Sequence, residues 1–449
     1  MKSQYLHRLT YESFGRKFLR KYFNTLIIIN AFLCSLLLLA FLFFAHIGVT
    51  FWPLHVASLV LGFALLFSMD ERGFFWTGFF LGLLWFYWIA LSFTHYGFWY
   101  LIPFGILGIG LFYGVLFWFC GIFHSSPWVK GALVFGLGIL APFGFNWLDW
   151  RILLLHTPFD TTYLALALVL GGIAWFMSIS GKKRFIGLVF FFLALDQERT
   201  PPPVLPFDIA LVSTQVPQSH KWEKAHQAQQ IAFIKEAIHT AIAQQKRAIV
   251  FPESALPLYL NQHHALLKEL KELSHAIGIF VGALSAHEEG IYNSTYFFDK
   301  GSFTVAHKVI LVPFGEVVPF PKPLRDFINN LFYGGASDFL VAAHPSDFAI
   351  EGVYLRNAIC FEATKPLLFA KNPSFMVASS NNAWFTPSLQ PTLQHLLLTL
   401  YATNHNTLIY HSANGSPSGV ISPRPSKTFA FMAPFEAAMD YLKGYFKSP

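Results

Sequence analysis

Long uninterrupted runs of apolar residues fill the first 195 positions of the chain, and from Asp196 onward apolar and polar residues alternate over shorter stretches. A helix of about 20 apolar residues crosses the ~30 Å hydrocarbon layer of a membrane. Such runs predict membrane helices over 25–45, 49–68, 73–93, 100–122, 128–147 and 162–178, with a shorter seventh run over 185–195. The pattern therefore divides the chain into a membrane half and a globular half.

The distribution of basic residues between the loops predicts the orientation of these helices. The side that holds the N-terminus collects eleven Lys and Arg residues, whereas the short loops of the other side contain only Arg151. Because cytoplasmic loops carry the excess of basic residues, we expect residues 1–24 to lie in the cytoplasm. The eleven are Lys2, Arg8, Arg16, Lys17, Arg20, Lys21, Arg72, Lys130, Lys182, Lys183 and Arg184.

The seventh run decides on which side of the membrane the globular half lies. Its eleven residues would make a helix of only about 17 Å, and a longer span over 181–199 requires its terminal basic residues to snorkel to the two interfaces. We expect residues 25–199 to form a transmembrane bundle of about seven helices. Residues 200–427 are then expected to form an extracytoplasmic domain.

Strand and helix patterns alternate in the globular half. Short apolar strands are predicted over 208–216, 248–251, 279–284, 375–379 and 408–412, with helices over 224–245, 264–277 and 389–403 and a hairpin over 294–307. This alternation predicts an α/β sandwich with polar residues at the strand ends. Residues 428–449 contain charged residues and a mid-run proline, so we expect an amphipathic segment that does not span the membrane.

The amino-acid composition excludes several classes of partner and cofactor. Charged residues make up 12% of the chain, against ~25% in an ordinary soluble protein. The net charge of +7 comes from basic residues beside the apolar runs, and no nucleic-acid-binding module is recognisable, so a nucleic-acid partner is not expected. Three cysteines allow no disulfide framework and no zinc spacing, and we expect neither a metal nor a cofactor.

Three residues at strand ends carry candidate chemistry: Glu253, Lys308 and Cys360. A thiol needs a base to form the nucleophilic thiolate, and an ammonium stabilises both the thiolate and an oxyanion. Each residue alone also has an ordinary structural interpretation, as a helix or strand cap, a solvated lysine and a small buried thiol respectively. Together they form a complete set for acyl transfer.

The residues around these three positions resemble the nitrilase (carbon-nitrogen hydrolase) superfamily. The segments are Phe251-Pro252-Glu253, His307-Lys308 followed by residues 311–316, and Cys360-Phe361-Glu362, in that order. With the preceding membrane half, residues 216–222, 311–320 and 380–385 narrow the resemblance to the apolipoprotein N-acyltransferase family. The resemblance implies an α-helical transmembrane bundle followed by a nitrilase-like αββα sandwich.

The resemblance also implies roles for individual residues. Glu253 would be the general base, Lys308 the oxyanion-stabilising residue and Cys360 the nucleophile. Glu316 and Glu362 match acids that support the site, and Trp222 matches an aromatic residue that positions acceptor or lipid. Phe361 stands where the family often has tyrosine, and the chain shows no run for the family's eighth membrane helix.

The implied reaction transfers an acyl chain from a phospholipid, through a thioester on the cysteine, to the N-terminal α-amine of a diacylated apolipoprotein. The implied location is the bacterial inner membrane with the catalytic domain facing the periplasm, and we expect a monomer. Phe314, Phe320 and the loop 327–340 are expected to contact lipid.

Two other functions stay open at this point. One is a membrane-tethered amidase or nitrilase-type hydrolase, in which water would resolve the thioester. The other is a transporter or channel with a soluble ligand-binding domain, which the lack of acid-base pairs within the apolar runs disfavours.

Overall fold

A computed structural model describes residues 22–123, 126–196, 199–332 and 338–425. Most of the predicted basic N-terminus, the tip of the loop 327–340 and the predicted amphipathic C-terminal segment lie outside the described residues. The chain forms two compact units. Among the described residues, the first unit comprises those up to Ala90, within 101–139 and within 156–195, and the second comprises those within 91–100, within 140–155 and from Asp196 onward.

The described part of the first unit consists of apolar helices. They are α1 Thr25–His46, α2 Trp52–Ser68, α3 Glu71–Phe86, α4 Ile102–Ile122, α5 Pro127–Leu137, α6 Tyr163–Ser178 and α7 Gly187–Leu193. With their 3-10 extensions, Thr25–His46, Glu71–Tyr96 and Trp99–Ile122 are long and apolar enough to cross a membrane. The predicted helices over 162–178 and 185–195 correspond to α6 and the short α7.

The span predicted over 128–147 is interrupted. Helix α5 ends at Leu137, and residues from Leu140 belong to the second unit. Pro142 cannot continue a helix, and Phe143 and Gly144 have positive φ angles of 55° and 80°. This irregular backbone places residues 140–155 beside the globular part of the chain instead of in a helix of the first unit.

Helices α3 and α4 approach closely through glycines. A Cβ atom at Gly78 would lie 2.5 Å from the carbonyl oxygen of Tyr113, and one at Gly82 would lie 2.8 Å from that of Ile109. Any side chain at these positions would separate the two backbones, so the small residues permit the packing that van der Waals contact stabilises between membrane helices.

Two sheets form the second unit within the described residues. The first has the order β1-β2-β4-β5-β6 with β3 beside β4, and the second has the order β11-β10-β9-β8-β7. The strands are β1 Ile209–Leu211, β2 Ala248–Val250, β3 Leu256–Tyr259, β4 Gly278–His287, β5 Gly290–Asp299, β6 Ser302–His307, β7 Asp347–Ile350, β8 Val353–Ile359, β9 Phe375–Asn381, β10 Leu408–Asn414 and β11 Gly419–Ile421. The predicted hairpin is the antiparallel pair β5–β6.

The second unit also contains helices. They are α8 Gln218–Lys221, α9 Lys224–Ala243, α10 His264–Leu273, α11 Lys322–Phe332 and α12 Gln390–His405. Helices α9 and α10 pack on the first sheet and α12 on the second, whereas Phe280 and Phe297 of the first sheet meet Leu355 and Val377 of the second in the core between them. The predicted αββα sandwich is therefore confirmed.

Strand direction brings the candidate residues to common edges. Strands β1, β2 and β4 are parallel, and β6 runs in the same direction because β5 is antiparallel to both β4 and β6. In the second sheet β8, β9 and β10 are parallel. A bridge between Thr214 and Asn414 joins the sheets where β1 and β10 end, so residues that follow these strands surround one site.

Candidate active site

Glu253 follows β2 and is buried, with 6% of its surface exposed. Its Oε1 accepts a hydrogen bond from Asn293 Nδ2 at 2.8 Å and lies 3.5 Å from Lys308 Nζ. A buried carboxylate is stable only with such partners. Two strands of one sheet thus hold the candidate base: β2 carries it and β5 supplies the amide that orients it.

Lys308 follows β6 and is completely buried. Its Nζ donates to Glu316 at 2.8 Å, and Asn293 Nδ2 donates to the same carboxylate at 3.2 Å. Burial lowers the pKa of Lys308, but the Glu316 and Glu253 carboxylates outweigh this effect and hold the pKa above its ordinary value. Lys308 is therefore a permanent cation between two carboxylates.

Cys360 follows β8 in a left-handed conformation with φ of 56°. The backbone N–H of Asn381, the last residue of β9, donates to its sulfur. Burial and the Glu253 charge raise the pKa of Cys360 to about 12, against the opposing effect of Lys308. The resting residue is a neutral thiol that needs a base.

Glu362 holds the turn after Cys360. Its Oε1 accepts from Ile359 N at 2.8 Å, and its Oε2 accepts from Val309 N at 2.7 Å and Ile310 N at 3.0 Å. Burial raises the pKa of Glu362 to about 7, although Lys308 and these hydrogen bonds lower it. This carboxylate ties the cysteine turn to the chain that follows Lys308.

The two aromatic residues singled out from the sequence have different surroundings. Trp222 follows α8 and is 45% exposed, whereas Phe361 is buried. The Phe361 ring stacks on Phe145 at 5.8 Å between ring centroids. These contacts give Phe361 a packing role, and substrate positioning by Trp222 stays a prediction.

Sequence reasoning missed three residues of the site: Lys221, Asn293 and Asn381. Lys221 is 2% exposed, and its Nζ donates to the main-chain oxygen of Glu253 at 2.8 Å. Burial lowers the pKa of Lys221 to about 8, against the charges of Glu253 and Cys360. Lys221 and Asn381 stand in the segments 216–222 and 380–385 that carry the family resemblance, so their positions were a usable signal, whereas Asn293 lies just before the predicted hairpin and gave no signal.

The arrangement brings Glu253, Lys308, Glu316 and Asn293 into one hydrogen-bonded cluster whose charges act on the Cys360 thiol. A carboxylate, an ammonium and a thiol in one buried site can perform acyl transfer through a thioester. Among the described residues, no group of three or more His, Cys, Asp or Glu side chains could hold a metal ion.

Comparison with known proteins shows the family to which the chain belongs. Residues 25–197 match the integral membrane domain of apolipoprotein N-acyltransferase, and residues 209–408 match the carbon-nitrogen hydrolase family. The apolipoprotein N-acyltransferase of Wolinella succinogenes is 41% identical over 87% of this chain and 94% of its own length. The chain belongs to the apolipoprotein N-acyltransferase family. The enzyme of that name from Helicobacter pylori is 38% identical over 77% of this chain and 82% of its own length.

Membership of the apolipoprotein N-acyltransferase family confirms the resemblance read from the sequence, and the matched membrane domain with its long apolar helices makes the chain a membrane protein. A solved carbon-nitrogen hydrolase superfamily protein from Xanthomonas campestris aligns with 48% of this chain and 82% of its own, at a TM-score of 0.36 and 14% identity. That structural likeness is too weak to carry an argument about function.

Proposed function

We propose that this membrane protein is an apolipoprotein N-acyltransferase that moves an acyl chain from a phospholipid to the N-terminal α-amine of a diacylglyceryl-cysteine in a lipoprotein. The observation that carries the proposal is the Glu253–Lys308–Glu316 cluster beside the Cys360 thiol, in a chain of this family.

The first stage forms the acyl-enzyme. Glu253 accepts the thiol proton while the Cys360 sulfur attacks the ester carbonyl of the phospholipid. The Lys308 ammonium stabilises the oxyanion of the tetrahedral intermediate. The ester C–O bond then breaks, Glu253 returns the proton to the leaving oxygen, and a lysophospholipid departs from the thioester.

The second stage transfers the chain to the acceptor. The neutral α-amine attacks the thioester carbonyl, the C–S bond breaks, and Glu253 carries the proton from the amine to the leaving sulfur. The products are an amide and the original Cys360 thiol. The enzyme therefore needs no oxidant, metal or external activated donor.

Both substrates are lipids, which explains why the family joins a membrane domain to a hydrolase fold. Removing an acyl chain from the bilayer costs about 0.8 kcal/mol per CH₂ group, so a site at the membrane surface avoids a large penalty. We place the enzyme in the bacterial inner membrane with residues 200–427 on the periplasmic side, because the excess of basic residues lies in the opposite loops.

Aromatic residues next to the Lys308 loop are suitable for contact with the acyl chains. Phe314 is 42% exposed, and its ring packs edge-on against Phe320 and Phe143 at 5.7 and 5.5 Å between ring centroids. Leu324 and Phe327 on α11 are also exposed. This cluster supports the expected lipid contact of Phe314, Phe320 and the loop that begins at residue 327.

Mass spectrometry of the purified protein after incubation with phospholipid tests the proposal. We expect a thioester on Cys360 whose mass identifies the transferred chain, and no adduct in Cys360→Ala. We expect Glu253→Gln to block formation of the thioester because no group then accepts the thiol proton. Normal acylation of either variant would contradict the assigned roles.

The fate of a labelled chain separates acyl transfer from hydrolysis. After a diacylated lipopeptide is added to the acyl-enzyme, we expect the label on the peptide amine. Release of the label mainly as free fatty acid would instead identify a membrane-tethered hydrolase.

A further inference from the structure

A short segment from a distant part of the sequence packs against the turn that carries Cys360. Residues 144–147, here called the docking segment, precede α6 in the chain and belong to the second unit. Asn146 Nδ2 donates to the main-chain oxygen of Thr364 at 3.2 Å, and the indole N–H of Trp147 donates to Thr364 Oγ1 at 2.8 Å. Residues 360–365 are called the nucleophile turn below.

Lys365 provides the charged part of this contact. Its ammonium donates to Asn146 Oδ1 at 2.6 Å and to the main-chain oxygen of Gly144, and it lies 3.9 Å from the centroid of the Phe361 ring. The side chain is buried. Burial removes most of the water around this ammonium and lowers the pKa of Lys365 to about 7, so its charge depends on these carbonyl and ring partners.

Aromatic packing supports the same contact. The Phe361 ring is nearly parallel to that of Phe145, with an angle of 7°, and lies 6.0 Å from that of Trp147. Such stacking stabilises the contact beyond the burial of apolar area. The residue after the nucleophile is thus held by the docking segment on one side and covered by Lys365.

The nucleophile turn needs such support because Cys360 is strained. A non-glycine residue with φ of 56° has an unfavourable backbone conformation, which persists only where its surroundings impose it. Glu362 anchors the turn to residues 309 and 310. The Thr364 and Lys365 contacts with the docking segment form a second anchor on the same short turn.

We propose that Asn146 and Lys365 are positioning residues that hold the Cys360 thiol in the geometry for attack on the acyl donor. The proposal rests on the proposed role of Cys360 as nucleophile. Neither residue needs to touch substrate, since both act through Thr364 and Phe361 of the nucleophile turn. A displacement of about 1 Å at a reacting atom can lower a rate ~100-fold.

The rate of acyl-enzyme formation tests this role in the full-length protein. With phosphatidylethanolamine in mixed micelles as the donor, we expect Lys365→Met and Asn146→Ala to lower the maximal single-turnover rate at least ~10-fold. The phospholipid concentration at half-maximal rate should stay unchanged, because donor binding is not altered. Lys365→Arg keeps a cationic donor over the ring and should recover most of the rate.

A double-mutant cycle separates positioning from general damage. Asn146 and Lys365 share a hydrogen bond and support the same turn, so the double variant should lose clearly less rate than the product of the two single losses. Lys268→Met, which changes an exposed lysine on α10, is the matched control and should react as the wild type does. The proposal would be overturned if the two losses were additive. It would also be overturned if the half-maximal concentration rose while the maximal rate stayed unchanged, or if Lys365→Arg were inactive.

Cys360→Ala in the same assay distinguishes failure of the proposed function from failure of the positioning role. If Cys360→Ala still forms an acyl-enzyme, the proposed function fails. If Cys360→Ala is inactive while Lys365→Met and Asn146→Ala react at the wild-type rate, only the positioning role is overturned. Should Lys365→Met not accumulate in the membrane, Asn146→Ala and Lys365→Arg carry the test.

Discussion

The charges around Cys360 determine how its proton can leave. Glu253 and Glu316 share the Lys308 ammonium, so an isolated thiolate would add a third negative charge to a buried site. Transfer of the thiol proton to Glu253 removes one carboxylate charge as the sulfur charge forms, and the net charge of the site stays constant. This is a physical reason for a carboxylate base beside a thiol whose pKa is about 12.

The pKa of Glu362 predicts an acid limb in the pH profile of the proposed acylation. Below its pKa of about 7 the carboxyl is protonated and can no longer accept all three N–H groups that fix the turn. We therefore expect the acylation rate to fall as the pH drops through 7. In Glu362→Gln the rate should be lower at all pH values and this limb should be absent. If the acid limb persisted unchanged in Glu362→Gln, another group would be responsible for it.

The contribution of Glu362 to folding stability should change with pH in the opposite direction from the acylation rate. The pKa of Glu362 in the folded protein lies above its ordinary value of 4.5, so the folded protein binds more protons than the unfolded chain between pH 4.5 and 7. The contribution of Glu362 to the unfolding free energy is present below pH 4.5 and is lost as the pH rises through 7.

Lys221 should affect the rate of thioester formation because it holds the main chain of Glu253 in place. Lys221→Met removes a charge-assisted hydrogen bond to the Glu253 carbonyl, and such bonds contribute about 1.5–3 kcal/mol. We expect thioester formation to slow ~10–100-fold if the whole effect appears in the transition state. The control is Lys224→Met, at an exposed lysine of α9, and equal rates for the two variants would contradict a role for Lys221.

At the scale of elements, the two sheets and two of the membrane helices depend on different kinds of contact. Phe280, Phe297 and Phe348 fill the core between the sheets, where burial of apolar area is the main favourable contribution. Helices α3 and α4 instead meet at glycines, where close backbone approach gives the van der Waals contact. Volume changes at that contact should therefore be poorly tolerated.

We expect Gly78→Leu to destabilise the helical unit by about 1–3 kcal/mol, as overpacking does elsewhere. The added Cβ alone would lie 2.5 Å from the Tyr113 carbonyl oxygen. The measurement is the apparent unfolding midpoint of the detergent-solubilised protein. Gly108→Leu on α4 is the control because a Cβ there meets nothing within 4 Å, and similar losses for both variants would show that packing is not the cause.

At the scale of the whole molecule, chain order and compact units do not coincide. Residues 91–100 and 140–155 are flanked in sequence by parts of the first unit but belong to the second. His95 Nε2 contacts the Trp384 carbonyl oxygen at 3.1 Å, and Asn146 contacts Thr364. Segments between membrane helices thus complete the domain that carries the proposed active site.

The proposed orientation can be tested with a membrane-impermeant maleimide on intact spheroplasts. In a Cys360→Ser background, we expect Lys268→Cys to react before lysis, because residues 200–427 would face the periplasm. Lys182→Cys should react only after lysis, because its basic loop would face the cytoplasm. Both positions are exposed in the structure, and the reverse labelling pattern would refute the orientation.

Much of the fold followed from local sequence pattern. Apolar runs indicated the membrane helices, and the alternation of strands and helices indicated the sandwich, because burial imposes periods of 3.6 and 2 residues on helices and strands. Glu253, Lys308 and Cys360 became candidates because each was expected at a strand end and stands in a segment that resembles the family. The end of α5 at Leu137 was missed because residues 139–147 remain mostly apolar although their backbone is irregular.

The sequence by itself determined the two halves of the chain, its family and the candidate Glu-Lys-Cys set, since each depends on residues that are neighbours in the chain, either long apolar runs or short motifs. Only the tertiary structure decided that Asn293 joins the two carboxylates, that Lys221 supports Glu253, and that residues 144–147 hold the nucleophile turn. These contacts join residues far apart in the chain. They depend on strand register and loop path, which no local pattern of hydrophobic and polar residues specifies.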